Sequence, residues 1–503
     1  MFYKIRSMGI TGIDGYAVEC ECDLSGGLPT FDIVGLPDAA VKESRDRVRA
    51  CAKNCAFQFP LRRITVNLAP ADTRKEGPIY DLPILLSVLC ASEQLPAIPE
   101  TSAFVGELSL DGRLRPVTGV LSMATDAAAA GIDTLYVPAD NAAEAAFAAS
   151  VRIIPVETVG ELCAHLRGEK EIPPAECPVA EATDRFPADF SDVRGQESVR
   201  RAVEIAAAGG HNILLMGPPD SGKSMIARRI PSILPRLSGE EALICTKIHS
   251  VAGLTDRQHP MLRERPFRSP HHTISAISLT GGGRTPRPGE ISLAHNGVLF
   301  LDEFPEFHKD ALEALRQPLE DGCVTISRVA GSMTYPSSFM LVCAMNPCRC
   351  GWYGHPSGRC KCSQASVDSY QSRISGPMLD RIDLHIDVPA VEFDKLHGGD
   401  KPESSADIRA RVEAARQRQR DRLGESGCNA RMTTAEIRRD CVLGEEASAM
   451  LSAAFDALGM TARSYDRVLR VARTVADLAG SDRVETEHLA EALAFRTMDR
   501  NKA

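Results

Sequence analysis

The stretch that decides the fold is Gly217-Pro218-Pro219-Asp220-Ser221-Gly222-Lys223-Ser224, which has the form Gly-x-x-x-x-Gly-Lys-Ser. The apolar residues 211–216 before it predict a strand, and residues 225–230 after it predict the beginning of a helix. In this context the backbone N–H groups of the loop surround phosphates, and the helix dipole favours their negative charge. We therefore expect residues 217–224 to bind a nucleotide, with Lys223 contacting the β- and γ-phosphates and Ser224 binding Mg²⁺. A chance match in a glycine-rich turn is disfavoured by the context.

A second apolar segment ends in two acidic residues. Residues 298–301 read Val-Leu-Phe-Leu, and four consecutive apolar residues predict a buried parallel strand. Ligands bind beyond the carboxyl ends of strands in open α/β sheets, which is where Asp302 and Glu303 would lie. We expect Asp302 to hold Mg²⁺ through water and Glu303 to polarise the attacking water. A solvated strand end is the alternative, and the phosphate-binding loop at residues 217–224 (the P-loop) favours the catalytic interpretation.

Two further stretches follow the acidic pair. Residues 338–345 predict an apolar strand that ends at Asn346, and residues 378–385 read Met-Leu-Asp-Arg-Ile-Asp-Leu-His. Together with the P-loop they resemble the AAA+ ATPases. The resemblance implies that Asn346 helps to place the hydrolytic water and that Arg381, with Arg373 in reserve, is an arginine finger inserted into the neighbouring subunit's site. A surface arginine paired with an adjacent aspartate is the alternative.

The C-terminal region is predicted to be helical. Helices are expected at residues 445–458, 462–478 and 486–496. This arrangement resembles the helical lid of AAA+ proteins, and residues 461–465 (Thr-Ala-Arg-Ser-Tyr) resemble its sensor 2 position, which implies that Arg463 contacts the γ-phosphate. Arg467 and Arg470, one and two turns along the helix, are alternatives, as is a set of solvated lid arginines.

Residues 1–170 are predicted to form a separate α/β domain. Strands are expected at residues 17–22, 30–34, 64–68, 103–107 and 134–137. Helices are expected at residues 39–55, 81–92 and 121–130. Cys20 and Cys22, and likewise Cys51 and Cys55, are spaced as metal half-sites can be, but small buried thiols are the favoured interpretation.

Three stretches of this domain carry a family resemblance. They are residues 75–78 (Lys-Glu-Gly-Pro), 106–112 (Gly-Glu-Leu-Ser-Leu-Asp-Gly) and 130–138 (Ala-Gly-Ile-Asp-Thr-Leu-Tyr-Val-Pro). They resemble the proteolytic domain of Lon proteases, which cleave with a Ser–Lys dyad. In this chain Ile79 stands at the position of the serine, and the position of the lysine falls at about Leu121. Neither side chain can act as a nucleophile or a base. The resemblance therefore implies a Lon-like fold without peptidase activity, with a role in assembly or in contact with a long polymer.

Four cysteines form two Cys-x-Cys pairs with a glycine-containing segment between them: Cys348, Cys350, Cys360 and Cys362. Such a hairpin can present four thiolates, the ligand set of tetrahedral Zn²⁺, and we expect zinc here. The spacing inside each pair is shorter than usual, so the alternatives are that His355 replaces one cysteine or that the thiols are free. Arg349, Arg359 and Lys361 make this loop a candidate DNA contact, which could be coupled to hydrolysis because the loop follows Asn346.

Composition and charge limit the class of protein. The chain has 503 residues, of which 44% are hydrophobic and 25% charged, as in soluble globular proteins of two or three domains. The net charge of −9 does not exclude a nucleic-acid partner, because a local basic channel is sufficient. No apolar run reaches the roughly 18 residues of a membrane span and no signal peptide begins the chain, so we expect no membrane partner and a cytoplasmic location. Most of the 16 cysteines should then be reduced thiols.

The domain boundaries follow from the motifs and from local composition. Residues 171–189 are rich in Pro, Glu and Ala and predict a linker. Residues 190–395 are expected to form the AAA+ core, with the cysteine loop inserted at residues 346–363. Residues 396–503 are expected to form a basic helix and the lid. The predicted fold class is α/β, a P-loop AAA+ module with a C-terminal helical lid, preceded by a Lon-like α/β domain.

Other stretches carry basic or titratable side chains. Residues 408–423 carry six arginines: Arg409, Arg411, Arg416, Arg418, Arg420 and Arg422. They predict a helix with an apolar stripe, for which a face toward phosphates and a solvated face are equally favoured. The basic residues at 42–49 are a weaker candidate for DNA contact. His271 and His272 lie in a Gly- and Pro-rich stretch that we interpret as an inserted loop facing a pore and touching substrate, and we assign them no metal.

One family matches the whole set of motifs. Residues 267–275 (Phe-Arg-Ser-Pro-His-His-Thr-Ile-Ser), residues 287–295 (Arg-Pro-Gly-Glu-Ile-Ser-Leu-Ala-His) and the cysteine cluster resemble the magnesium-chelatase-like ComM/YifB family, over nearly the whole chain. The resemblance implies a homo-hexameric AAA+ motor that uses ATP and Mg²⁺ on single-stranded or branched DNA. It also implies branch migration in homologous recombination during natural transformation, with other recombination proteins as partners. The alternatives are an ATPase that remodels a protein partner and an assembly that ATP binding merely switches.

Overall fold

A computed structural model describes residues 1–178, 188–283, 286–328, 331–390 and 402–496. The first domain combines a mixed sheet with packed helices. Its strands are β1 (Phe2–Thr11), β2 (Asp14–Ser25), β3 (Thr30–Val34), β4 (Arg63–Ala69), β5 (Ser102–Phe104), β6 (Glu107–Leu108), β7 (Leu114–Arg115), β8 (Thr134–Pro138) and β9 (Arg152–Val156). Its helices are α1 (Ala39–Asn54), α2 (Asp81–Ala91), α3 (Val120–Ala127), α4 (Ala142–Ala145) and α5 (Val159–Leu166).

The sheet of the first domain has seven strands in the order β3-β4-β2-β1-β5-β8-β9. Strand β2 pairs antiparallel with β1 and β4, and the other neighbouring strands pair in parallel. The predicted helices and strands are present with slightly different ends, except that the strand predicted at 103–107 is divided between β5 and β6. The sequence patterns do not predict β1, because Ser7 and Gly9 occupy buried positions in it and interrupt the apolar alternation.

Ile79 and Leu121, the residues that the Lon resemblance places at the dyad positions, are both buried, with 8% and 0% exposure. Burial raises the pKa of Cys22 to about 12, so this thiol is protonated and packs as a small apolar side chain. Arg47, one of the basic residues at 42–49, donates to the buried carboxylate of Asp81 at 2.6 Å and is therefore a structural residue.

The second domain is built on a parallel sheet. Its strands are β10 (Ile213–Met216), β11 (Phe267–Arg268), β12 (Gly281–Gly282), β13 (Arg287–Pro288), β14 (Val298–Leu301), β15 (Cys323–Arg328), β16 (Gly331–Pro336), β17 (Met340–Met345) and β18 (Leu384–Asp387). Its helices are α6 (Glu197–Gly209), α7 (Lys223–Ile233), α8 (Gly239–Ala252), α9 (Ala276–Thr280), α10 (Glu290–Leu293), α11 (Lys309–Ala314), α12 (Arg316–Asp321), α13 (Gln364–Gln371) and α14 (Gly376–Leu379). The five sheet strands have the order β11-β14-β17-β10-β18 and are all parallel.

The three central strands of this sheet are buried along their whole length. A strand that is covered on both faces reads as a continuous apolar run, and this explains why β10, β14 and β17 are predictable from sequence. The P-loop follows β10, the Asp302–Glu303 pair follows β14 and Asn346 follows β17, as predicted. Because the strands are parallel, these three segments meet at one edge of the sheet, its carboxyl edge.

The C-terminal part is a bundle of helices that packs on the core. It contains α15 (Ser405–Leu423), α16 (Thr434–Asp440), α17 (Glu445–Ala457), α18 (Ala462–Leu478) and α19 (Thr486–Ala494). The last three match the helices predicted for the lid. Helix α15 begins with a capping box between Ser404 and Asp407, and the buried residues Ile408, Val412 and Ala415 form the predicted apolar stripe. The α/β fold with a C-terminal helical lid is therefore confirmed.

Helix α8 joins the two domains and is absent from the sequence predictions. Its Lys247 forms an ion pair with Asp126 of the first domain at 3.3 Å, and the Ser250 hydroxyl donates to Glu144 at 2.8 Å. The backbone N–H of Gly119 also donates to the Ser250 carbonyl. Since α8 meets the first domain through polar groups, its buried face carries no continuous apolar stripe, and periodicity does not reveal it.

The boundary between the domains differs from the predicted one. Ile172 is buried in the core of the first domain, and the backbone N–H of Ala175 donates to the Ile153 carbonyl at 2.8 Å. The first domain therefore extends to about residue 175, within the predicted linker. At the other end, Asp189 accepts a hydrogen bond from the backbone N–H of Ser405 and belongs to the second domain. Residues 179–187 lie outside the described residues.

Candidate active site

The P-loop turns the chain from β10 into α7. The backbone N–H of Gly217 donates to the Met345 carbonyl at 3.2 Å, which extends the pairing of β10 with β17. A Cβ atom on Gly217 would lie 2.3 Å from the Val388 carbonyl oxygen, so only glycine fits at this position. Gly222 has a φ of 84° and leads directly into the first turn of α7. The unpaired N–H groups of that turn are the groups that bind phosphate in such loops.

Lys223 lies at the centre of the site. Its Nζ donates to the carbonyls of Gly217 at 2.8 Å and Pro218 at 2.7 Å, and also to Asn346 Oδ1 at 3.2 Å. Burial lowers the pKa of Lys223 from its ordinary value, against the opposing effect of nearby carboxylates. The structure therefore brings together the two residues predicted to serve the nucleotide phosphates and the hydrolytic water.

The two predicted Mg²⁺ ligands are also in contact. The Ser224 hydroxyl donates to Asp302 Oδ2 at 2.7 Å, so these oxygens fit the oxygen ligand set that Mg²⁺ requires. Glu303 follows with a φ of 52°, and its backbone N–H donates to Asp302 Oδ1 at 2.9 Å. A left-handed conformation at a non-glycine residue costs roughly 1 kcal/mol or more, and residues held in this way cluster at active sites.

Two residues near the P-loop and Glu303 were not placed at the nucleotide site by the sequence analysis. Gln196 donates through Nε2 to the Ser221 carbonyl at 2.9 Å and to the Pro389 carbonyl at 3.1 Å, and so supports the P-loop from outside. His272 lies 3.0 Å from Glu303 Oε2. Sequence analysis places the histidine pair in a loop that touches substrate, and no sequence signal relates it to an acidic residue on another strand.

The two predicted arginines lie together at the opposite edge of the sheet. Arg381 and Arg463 line one cavity of about 470 Å³, together with Asn212 and Phe339, the residues that precede β10 and β17. This is the amino edge, and the four-residue strand β10 separates it from the P-loop by about 13 Å. Neither arginine therefore lies at the nucleotide site of its own chain.

Arg381 and most of the alternative arginines form polar contacts within the chain. Arg381 is held by Glu320 and by the Pro377 carbonyl, not by an adjacent aspartate. Arg373 forms an ion pair with Glu306 at 2.7 Å. On the lid, Arg467 is buried 3.6 Å from Asp383, and the Arg470 guanidinium donates to a backbone carbonyl. Arg463 is exposed.

The four cysteines converge as predicted. Their sulfur atoms all lie within 4.8 Å of one another, and the distances from Cys348 to Cys350 and to Cys360 are 3.3 and 3.8 Å. Hydrogen bonds from the Trp352 backbone and from Cys348 lower the pKa of Cys350 to about 6, which favours the thiolate form that binds metals. His355 forms a hydrogen bond with the Ser357 hydroxyl and is not one of the residues whose ligand atoms converge. The donor set therefore fits zinc.

The cysteine loop packs directly on the P-loop. A Cβ atom on Gly351, which has a φ of 84°, would lie 2.6 Å from the Pro219 ring. Cys348 is fully buried beside it. The loop that carries the four cysteines therefore contacts the P-loop at Gly351 and Pro219. This contact leaves no space for a methyl group on Gly351.

Substitution of that glycine tests the contact. Gly351→Ala is expected to weaken ATP binding at least about tenfold, because the added methyl group displaces Pro219 or strains a backbone that favours glycine. Binding of a fluorescent ATP analogue measures this effect. Gly354→Ala is the matched control, since Gly354 has a φ of 74° in the same loop but no atom within 4 Å of a Cβ. Equal affinities for the two variants would contradict the proposed contact.

The arginines of α15 are largely used inside the molecule. Arg411 pairs with Glu204 and Glu403, Arg422 pairs with Asp477, and Arg418 pairs with an exposed aspartate. These contacts favour a packed and solvated helix over one that faces phosphates. In the part of the chain that the structure describes, no helix has the length and apolar character needed to cross a membrane.

Known proteins resemble this chain over nearly its whole length. Family models described as magnesium chelatase subunit ChlI, subunit ChlI of Mg-chelatase, and the C-terminal part of magnesium chelatase subunit ChlI match residues 189–396, 20–141 and 402–496. Uncharacterized protein YifB of Salmonella typhimurium is 44% identical over 99% of this chain and 97% of its own length. Competence protein ComM of Haemophilus influenzae is 42% identical over the same shares. The magnesium-chelatase 67 kDa subunit of Heliobacterium mobile is 28% identical over 33% of this chain and 29% of its own.

Proposed function

Because the chain belongs to the YifB/ComM family of magnesium-chelatase-like AAA+ ATPases, we propose that it is an ATP-driven hexameric motor that moves along or remodels branched DNA. Its role would be branch migration or helicase action in homologous recombination during natural transformation. One relative of this chain is named competence protein ComM, and this name supports the proposed role in natural transformation.

The observation that carries the motor proposal is the division of the catalytic groups between two edges of one sheet. Lys223, Asp302 and Glu303 are at the carboxyl edge, and Arg381 and Arg463 are at the amino edge. If the arginines act on ATP, they act on the ATP of a neighbouring chain. Head-to-tail contacts of this kind generate closed rings, and each site is completed only at the interface.

The DNA part of the proposal rests on the cysteine loop. Arg349, Arg359 and Lys361 are exposed on it, and the Arg359 guanidinium lies 5.0 Å from the centre of the Trp352 ring. An aromatic ring beside exposed cations suits a nucleic-acid backbone and its bases. The loop begins directly after Asn346 and contacts Pro219, so a force on it would reach the nucleotide site. An ATPase that remodels a protein partner is the alternative, in line with the magnesium-chelatase relatives.

The proposal is tested by ATP hydrolysis with single-stranded, duplex and four-way-junction DNA. We expect DNA to raise the rate at least about threefold, with branched DNA the most effective, at low salt where phosphate contacts are strongest. The triple variant Arg349→Ala, Arg359→Ala, Lys361→Ala should lose the stimulation and keep the basal rate. Hydrolysis that responds to none of these DNAs, without DNA binding at low salt, would favour the protein-remodelling alternative.

We also propose that Cys348, Cys350, Cys360 and Cys362 hold one zinc ion that orders the loop. Metal analysis of the purified protein should then give about one zinc per chain, the stoichiometry of a four-thiolate site. Cys362→Ser should reduce this content strongly, whereas Cys323→Ser, outside the cluster, should not. A zinc-free wild-type protein that retains DNA-stimulated hydrolysis would contradict the assignment.

A further inference from the structure

The residue that precedes β10 holds the segment that carries Arg381. The Asn212 Nδ2 atom donates to the Arg381 carbonyl at 2.9 Å, and the Asn212 Oδ1 atom accepts from the Leu341 backbone N–H at 2.8 Å. The Asn212 carbonyl accepts from the backbone N–H groups of Asp383 at 3.0 Å and Leu384 at 3.1 Å. Asn212 therefore connects the chain that leads from Arg381 into β18 to the neighbouring strand β17.

His211, next to Asn212, connects the same segment to the helical lid. Its ring is buried, with Nδ1 3.1 Å from Asp383 Oδ2 and Nε2 2.8 Å from Thr474 Oγ1 on α18. The Thr474 hydroxyl donates to the Arg470 carbonyl at 3.0 Å, so its oxygen accepts the hydrogen bond from His211. Through one imidazole ring, the lid is thus bonded to the residue two positions after the proposed arginine finger.

Asp383 is also close to a second lid residue. The Nε atom of Arg467, on α18, lies 3.6 Å from Asp383 Oδ1. Burial by itself would raise the pKa of Asp383, but the hydrogen bond from His211 and the charges of His211 and Arg467 hold that pKa below its ordinary value. The ionised carboxylate can only accept, so both ring nitrogens of His211 donate.

The network is closely packed against the end of α6. A Cβ atom on Gly209, the last residue of α6, would lie 2.2 Å from His211 Nε2 and 2.6 Å from Thr474 Oγ1. No side chain fits between this helix and the ring. Because closely packed groups transmit displacements, a shift of α18 would move His211 and Asp383 with it.

The network forms part of the wall of the cavity that the two arginines share. Asn212 and Asp383 line this cavity together with Arg381 and Arg463. Arg463 lies in the first turn of α18, the helix that carries Thr474. The hydrogen bonds that hold the Arg381 segment therefore also set the position of α18, and with it Arg463, relative to that segment.

We propose that His211 and Asn212 are positioning residues for Arg381: Asn212 fixes its backbone, and His211 ties that backbone to the lid helix α18. Arg381 and Arg463 then reach the ATP of a neighbouring chain with a constant separation. A displacement of about 1 Å near a catalytic group can cost roughly 10²-fold in rate, so such a support affects hydrolysis strongly. This inference rests on the proposed role of Arg381 as an arginine finger and extends it to the residues that place the finger.

Paired substitutions of Thr474 test the connection to the lid. Thr474→Val keeps the shape of the side chain and removes the oxygen that His211 bonds, whereas Thr474→Ser keeps the hydroxyl. Without DNA, we expect Thr474→Val to lower the kcat of ATP hydrolysis about 10- to 100-fold and to leave the affinity for a fluorescent ATP analogue within about twofold, because the P-loop lies at the other edge of the sheet. Thr474→Ser should keep kcat within about threefold of wild type. A merely structural defect would weaken ATP binding as well.

Asn212→Ala tests the connection on the core side. It removes the donor to the Arg381 carbonyl and should lower kcat by a similar factor, again with little effect on ATP affinity. Asn67→Ala is its control, because it removes a side-chain hydrogen bond to Glu21 in the first domain and should keep the wild-type rate.

Mixing of variants shows at which edge of the sheet the Thr474→Val defect acts. A Glu303→Gln chain keeps its own arginines, so rings mixed from Thr474→Val and Glu303→Gln chains should regain part of the activity. Rings mixed from Thr474→Val and Arg381→Ala chains should not, since both chains lack a working arginine edge. The opposite pattern, or recovery with neither partner, would overturn the inference.

The failure of this inference and that of the proposed function give different results. Wild-type rates in both Thr474→Val and Asn212→Ala, beside an inactive Arg381→Ala, would overturn the inference and leave the arginine finger in place. A wild-type rate in Arg381→Ala would refute the finger and this inference together. None of these measurements uses DNA, so a failure of the DNA motor is seen separately, in the absence of stimulation by DNA.

Discussion

Arg381→Ala will lower the rate of ATP hydrolysis by about 10³-fold while ATP binding persists, because the arginine finger that we propose here stabilises charge that develops only in the transition state. The side chain lies at the amino edge of the sheet, so its loss leaves the P-loop of the same chain intact. The measurement is steady-state hydrolysis alongside binding of a fluorescent ATP analogue. Arg418→Ala, which removes an exposed arginine on α15, is the control and should retain the wild-type rate.

Mixing of two inactive variants makes this prediction specific. A chain with Arg381→Ala keeps its own Glu303, and a chain with Glu303→Gln keeps its own Arg381. In a mixed ring, some interfaces combine an intact P-loop edge with an intact arginine edge, so activity should return in part. No recovery on mixing, or a severe loss in Arg373→Ala with none in Arg381→Ala, would contradict the assignment and favour the reserve arginine.

Glu303→Gln will lower kcat by roughly 10²- to 10⁴-fold with little change in the affinity for ATP, since the amide keeps the shape of the side chain and loses its ability to polarise water. Glu306→Gln is the matched control, because Glu306 lies three residues along the same edge and pairs with Arg373. Single-turnover hydrolysis and nucleotide binding separate the two effects. A Glu303→Gln protein that keeps more than about a tenth of the wild-type kcat would exclude the proposed role.

The site residues on strand ends were predictable because each follows a continuous apolar run. The runs that lead to Gly217, to Asp302 and to Asn346 are the buried strands β10, β14 and β17, and parallel pairing brings their carboxyl ends together. The cysteine cluster was predictable for a different reason, since the short spacing inside each pair makes convergence of the four thiols a local matter. In both cases the prediction depends on residues that are close together in the sequence.

Contacts between distant segments were not predictable. The approach of His272 to Glu303 joins the segment after β11 to the end of β14, and the packing of Gly351 on Pro219 joins two separate loops. Helix α8 was missed because its buried face is polar where it meets the first domain. No repeat or spacing in the sequence encodes contacts of this kind.

The sequence by itself determined the class of the protein, its nucleotide-binding loop, the order of its domains and the four-cysteine set, because local patterns of polarity and glycine specify strands, turns and ligand clusters. Only the tertiary structure decided that Arg381 and Arg463 share a cavity at the edge opposite the P-loop, and that His272 lies 3.0 Å from Glu303. The physical reason is that the parallel sheet assigns each strand end to one of its two edges, and the side chains that meet at an edge come from segments far apart in the chain.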